Sequence, residues 1–87
     1  MTKPFRVVLY GHEKCCLCHE AAELLDELHH DYSFEVEKID VRADEKHASL
    51  RCHIPVVTID GGNRVALRIT TVRLRRAFER ASQRRSV

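Results

Sequence analysis

Three of the four cysteines in this 87-residue chain fall within four positions, Cys15-Cys16-Leu17-Cys18. The outer two form a Cys-x-x-Cys pair between a strand-like run, Arg6 to Tyr10, and an amphipathic helical run from about Ala21. Two thiols at that spacing can close a small disulfide ring across the first turn of a helix. The N-terminus of such a helix carries partial positive charge and unpaired N–H groups, which favour a thiolate over a thiol. Settings of this kind lower a thiol pKa from about 8.5 to roughly 3.5–7.5. Cys15 is therefore read as a nucleophile, with Lys14 and His12 adding positive field. Cys18, one helical turn on and deeper, is read as the resolving thiol that attacks Cys15 and frees the reduced partner. Its proton needs an acceptor, for which His19, Glu20 and His53 are the candidates.

The remaining thiols admit other chemistry. Cys16 is read as a spectator, with a disulfide to Cys52 as the alternative; a bond between adjacent Cys15 and Cys16 has poor geometry. Cys15, Cys16, Cys18 and His19, with His12, are also types that hold Zn²⁺, Cu(I) or an Fe–S cluster shared across a dimer. The only distant donors are Cys52 and His53, whereas structural zinc sites draw on two separated clusters. Cys15 to His19 formally matches the Cys-x-x-Cys-His haem-attachment pattern, but no methionine beyond Met1 is available as a second axial ligand. His29, His30 and His47 are expected on solvated helix surface or ends.

The elements that must hold these groups are legible from periodicity. Phe5 to Tyr10 is nearly continuous in apolarity, as in a central strand covered on both faces, and Gly11 breaks it. Ala21, Leu24, Leu25 and Leu28 fall at i, i+3, i+4, i+7 and predict the buried stripe of a helix that frays near His29-His30-Asp31. Phe34 to Val41 reads as a second strand. Asp44 suits the N-cap of a short helix over Glu45 to Leu50. Ile54-Pro55 opens a third strand, Val56 to Ile59. Asp60-Gly61-Gly62-Asn63 is a hairpin turn leading to a fourth strand, Arg64 to Ile69. Thr70 or Thr71 can cap a last helix carrying Leu74, Ala77, Phe78 and Ala81, with residues 82–87 as a fraying basic tail. The order β-α-β-α-β-β-α predicts an α/β domain spanning residues 1–87, with a mixed four-stranded sheet and helices on both faces. Strands separated by helices are expected to be parallel, and the hairpin to add an antiparallel pair.

Composition bounds the rest. With 44% hydrophobic and 32% charged residues the chain is neither disordered nor membrane-embedded. No run approaches the roughly 18 apolar residues of a membrane span. Met1 to Phe5 leads into a strand without a signal-peptide core, so the expected compartment is the reducing cytoplasm, where clustered cysteines point to redox or metal chemistry rather than a disulfide scaffold. Residues 1–60 carry 7 Lys/Arg against 12 Asp/Glu, whereas residues 61–87 carry 8 Arg against Glu79 alone. The basic helix, Arg73, Arg75, Arg76 and Arg80 with Arg84 and Arg85, is read as a solvated face, with docking of an acidic protein as the alternative. The scarcity of stacking aromatics beside it argues against nucleic acid.

The joint order of Leu9-Tyr10-Gly11, Cys15-Cys16-Leu17-Cys18, Ile39-Asp40-Val41, Ile54-Pro55-Val56-Val57 and the Asp60-Gly61-Gly62 hairpin resembles the thioredoxin superfamily. The compact length is most similar to small bacterial glutaredoxin-like proteins. The resemblance implies a thioredoxin fold, a cis Ile54–Pro55 bond lying against the reactive disulfide, and thiol-disulfide exchange through Cys15 and Cys18 without an organic cofactor. It implies that His12, Lys14, Ile54 and Pro55 contact substrates, namely protein or low-molecular-weight disulfides. Glutaredoxins usually place proline and tyrosine where Cys16 and Leu17 stand. His12 replaces a basic residue that often holds the glutathione carboxylate, and Arg68-Ile69-Thr70-Thr71 replaces a Gly-Gly-Asp-like turn. Most of the usual glutathione contacts are therefore missing. A metal or Fe–S carrier using the same thiols, and a redox-inactive binding module using the Arg-rich helix, are the alternative functions.

Overall fold

A computed structural model describes residues 3–66 and 68–85. Strands β1 (Phe5–Gly11), β2 (Phe34–Asp40), β3 (Val56–Ile59) and β4 (Asn63–Ala66) form one mixed sheet in the order β2-β1-β3-β4. Helices α1 (Cys16–Leu28) and α2 (Thr71–Arg85) and a 3-10 helix (Glu45–Leu50) complete the predicted α/β architecture.

The core lies on one face of the sheet. Val7 and Leu9 of β1, Val57 and Ile59 of β3 and Val65 of β4 point to that face, where they pack with Ala21, Leu25 and Leu28 of α1 and Leu74, Ala77, Phe78 and Ala81 of α2. Leu24, fourth of the predicted stripe, is only half-buried at its margin. Phe78 is the hub of an aromatic cluster, with ring centroids 5.3 Å from Phe5, 4.5 Å from Tyr32 and 5.0 Å from Phe34.

The opposite face departs from expectation. Val8, Tyr10 and Thr58 are only half-buried there, so β1 is not covered on both sides along its length. The helical cover there, among the described residues, is the 3-10 helix, whose His47 ring lies 5.5 Å from that of Tyr10. Six residues of this tight helix span only about 12 Å, too little to roof four strands.

The same shortness corrects the predicted strand directions. β1 and β2 are parallel, but β3, although separated from β2 by a helix, runs antiparallel to β1. A parallel return needs a crossover long enough to retrace a strand of about 23 Å. The connection after β2 instead stays at one end of the sheet, and β3 starts there.

Three smaller differences follow from local chemistry. β4 ends at Ala66 rather than Ile69; position 67 lies outside the described residues. Helix α2 continues through Arg85, so residues 82–85 are helical and not a frayed tail. The Arg84 guanidinium lies over Gly62, where a side chain would have to push it aside. His29 and His30 are exposed as expected, His29 also stacking 3.9 Å from Phe34, whereas His47 is half-buried with its ring 5.5 Å from that of Tyr10.

The capping expectations hold. Asp44 Oδ1 accepts from the Lys46 N–H, and Thr70 Oγ1 accepts from the Arg73 N–H at 3.2 Å. At the hairpin, Asp60 (φ 54) and Gly61 (φ 73) both take the positive φ that a tight β-turn of primed type requires. Asp60 is anchored by its N–H to the Arg6 carbonyl and by Oδ1 from the Arg6 N–H.

Candidate active site

Register brings the chemistry-bearing loops together. Gly11 at the end of β1 sits opposite Asp40 at the end of β2, and Val56 at the start of β3 sits opposite Tyr10. The segments after β1, after β2 and before β3 therefore meet at one end of the sheet. Open sheets tend to place their sites outside the carboxyl ends of parallel strands.

Cys15 occupies the N-cap of α1, with extended backbone (φ −95, ψ 109), and its Sγ accepts from the Cys18 N–H at 3.2 Å. This is the position where serine or aspartate normally satisfies an orphan helix donor, and here a sulfur takes that place. The preceding turn is fixed by the Cys15 N–H donating to the His12 carbonyl at 3.0 Å. Cys15 is half-exposed and opens into a recess of about 180 Å³ lined by His12, Lys14, Arg42 and Ile54. Lys14 and Arg42 place two positive charges at that mouth.

Cys18 lies one turn deeper and is 4% exposed. Burial pushes its thiol up to about 11 from 9.0; its hydrogen bond to Cys15 and the charge there act in the same direction, while the His12 backbone N–H opposes them. Burial thus holds it as a thiol at neutral pH. Gly11 makes this burial feasible, because a Cβ at that position would lie 2.9 Å from Cys18 Sγ and 3.0 Å from its Cβ. Gly11→Ala is accordingly expected to lower stability by about 1–3 kcal/mol through overpacking. It should also slow closure of the Cys15–Cys18 disulfide. Denaturant titration and mass-spectrometric timing of oxidation check this; a variant matching the parent in both would show that β1 does not press on Cys18.

His12 Nδ1 lies 3.2 Å from Asp40 Oδ1. The Arg42 N–H also donates to that oxygen, at 2.9 Å, and these two bonds hold the Asp40 carboxyl below the usual carboxylate range, the Arg42 contact contributing most. A second cleft, of about 280 Å³, lies beside the pair, lined by Gly11, His12, Glu13, Cys18, His19 and Asp40 among others.

Of the residues proposed from sequence, Cys15, Cys18, His12, Lys14 and Ile54 converge at this end of the sheet. Pro55 is buried and joined to Ile54 by a cis bond, as the resemblance implied. Cys16 and Cys52 are both exposed. Among the proton-acceptor candidates, His19 borders the cleft beside Cys18, whereas Glu20 and His53 do not. Among the described residues no three His, Cys, Asp or Glu side chains are grouped to hold a metal ion. Gly11, Asp40 and Arg42 escaped the sequence reading as site residues. Their only signal was position: Gly11 and Asp40 end the paired strands whose register brings them together.

Comparison with known proteins agrees with this architecture. No curated protein matches the chain. Thioredoxin 1 from the thermophilic eubacterium Thermosipho africanus TCF52B superposes with a TM-score of 0.71 at 17% identity, covering 94% of this chain and 99% of that one. At such identity the likeness establishes the fold, which is that of thioredoxin. The family model for the glutaredoxin-like domain (DUF836) matches residues 6–79. A strand, a cysteine turn at a helix N-cap and a cis-proline strand are thus found within a matched span that takes in nearly the whole domain, and the chain belongs to the glutaredoxin-like domain family.

Proposed function

We propose that this protein is a dithiol thiol-disulfide oxidoreductase of the reducing cytoplasm, acting on protein or low-molecular-weight disulfides without an organic cofactor. The observation that carries the reading is the asymmetry of the pair: Cys15 half-exposed at the helix N-cap accepting an N–H, Cys18 buried and hydrogen-bonded behind it. Cys15 as thiolate attacks one sulfur of the partner, forming a mixed disulfide and expelling the other sulfur as thiolate. Cys18, on losing its proton, attacks Cys15 Sγ; the intramolecular disulfide forms and the second partner sulfur leaves. The partner gains two electrons and the Cys15/Cys18 pair loses them. A thiol reductant then restores the dithiol. Turnover of a small mixed disulfide by purified protein, with the Cys15–Cys18 bond located by peptide mapping, tests the reading; absence of that bond after oxidation would falsify it.

A separate surface supports docking of an acidic protein. Arg64, Arg73, Arg76 and Arg80 line one groove of about 190 Å³ between β4 and α2, with no carboxylate in its lining. Arg73 is held there by the carbonyls of Ala66 and Arg68. Arg75 faces elsewhere, bonded to Asp31 at 2.6 Å and poised over the Tyr32 ring. An oligoglutamate peptide is expected to bind at low ionic strength and release as salt screens the contact. Arg76→Glu with Arg80→Glu should abolish that binding; titrations insensitive to both salt and charge reversal would remove the docking role.

A further inference from the structure

Resolution of the mixed disulfide requires a buried thiol to give up a proton, and the dithiol reading above leaves its destination open. His12 borders the same cleft as that thiol. Its backbone N–H acts on the Cys18 sulfur in the direction that favours the thiolate, which places the residue beside the thiol. Its ring Nδ1 is committed to Asp40 at 3.2 Å, leaving Nε2 as the nitrogen available to accept. His12 and Cys18 line the same cleft, open to solvent, and the His12 side chain is 18% exposed, sheltered yet in reach of water. A carboxylate that orients an imidazole through one ring nitrogen, and stabilises the imidazolium formed when the other takes a proton, is a recurrent arrangement for general bases.

We infer that His12, oriented by Asp40, is the general base of the second exchange step, taking the Cys18 proton through the cleft as Cys18 attacks Cys15; this rests on the dithiol reading. The Cys18 S–H bond breaks and an N–H bond forms on His12. The Cys18 sulfur then bonds to Cys15, and the S–S bond to the partner breaks with the electron pair leaving on the partner sulfur. His12 afterwards returns the proton to solvent. Other charged groups face this path. Glu13, His19 and Lys38 border the cleft, Arg42 shares Asp40 through its backbone N–H, and the Cys15 sulfur adjoins Cys18. Among them, His19 is the rival base, and no carboxylate is seen bonded to its ring among the described residues. The disposition of Asp40 marks His12 as the positioned one. Asp40 itself acts through His12 and is a positioning residue.

The test uses full-length reduced protein carrying Cys16→Ser and Cys52→Ser, mixed with limiting aromatic disulfide (Ellman's reagent). The first thionitrobenzoate released reads attack by Cys15, and the second reads closure by Cys18. In His12→Gln the ratio of second to first rate constants is expected to fall by about a hundredfold at neutral pH. Its second phase should then climb with hydroxide where the parent's levels off. Asp40→Asn should lower the ratio less, with the same altered pH profile. His19→Gln should keep the parent ratio. An unchanged ratio in His12→Gln, or a greater loss in His19→Gln, overturns the assignment. Should His12→Gln fail to fold, judged by circular dichroism, the Asp40→Asn pH profile decides: a profile identical to the parent's overturns it. Absence of any second release in the parent defeats the dithiol reading itself, a result distinct from failure of the histidine variants alone.

Discussion

Cys15→Ser is expected to reduce disulfide turnover to the uncatalysed background, whereas Cys18→Ser retains the first attack and accumulates a covalent partner complex. The two outcomes differ because the two sulfurs are not equivalent. Cys15 presents its Sγ at the N-cap, beside an electropositive recess, with the Cys18 N–H donating to it. A serine hydroxyl there would accept the same hydrogen bond, so the fold should survive, but an alcohol does not ionise near neutral pH and cannot replace a thiolate. Cys18 is almost wholly buried in the wall of the cleft and held as a thiol, so it contributes only once Cys15 has captured a sulfur. Cys16 is the necessary control, being exposed on the same turn. Cys16→Ser is expected to retain turnover. Non-reducing electrophoresis and intact-mass measurement of the trapped species check both parts. Persistence of turnover in Cys15→Ser, with loss in Cys16→Ser, would move the nucleophile one residue along and undo the assignment.

Phe78→Ala is expected to destabilise the domain by about 3–5 kcal/mol. Phe78 has no exposed surface and touches the rings of Phe5, Tyr32 and Phe34, joining the starts of β1 and β2 to α2. A chain of this length holds about 4–13 kcal/mol in total. The variant should therefore be marginal or unfolded at physiological temperature, though the substitution lies at the opposite end of the sheet from the cysteines. Urea titration measures the loss; a cost below about 1 kcal/mol would mean that the cavity collapses and the cluster is not the keystone of the core.

These contrasts show what could be read from the chain and what could not. The stripes of α1 and α2, the caps at Asp44 and Thr70, and the hairpin at Asp60-Gly61 are local signals, carried by residues within one or two turns of each other. The roles of Phe5, Tyr32 and Phe34 around Phe78 are not local, because parallel pairing of β1 with β2 assembles them. The direction of β3 was misread for a related reason: the sequence shows a helix after β2 but not that it is of the tight 3-10 kind and too short to return. In the site, Cys15 and Cys18 were legible from spacing and context. Asp40 looked like the end of a strand, and only the Gly11–Asp40 register turns it into the partner of His12.

The hairpin offers a practical handle. It lies at the far end of β3 from the recess, and nothing occupies the space within 4 Å of where a side chain would emerge from Gly61. The positive φ of Gly61 strains any side chain placed at that residue, so a tag is better carried as an inserted segment in the loop, away from the thiol end. The neighbour of Gly61 is more crowded: a side chain at Gly62 would have to push aside the guanidinium of Arg84.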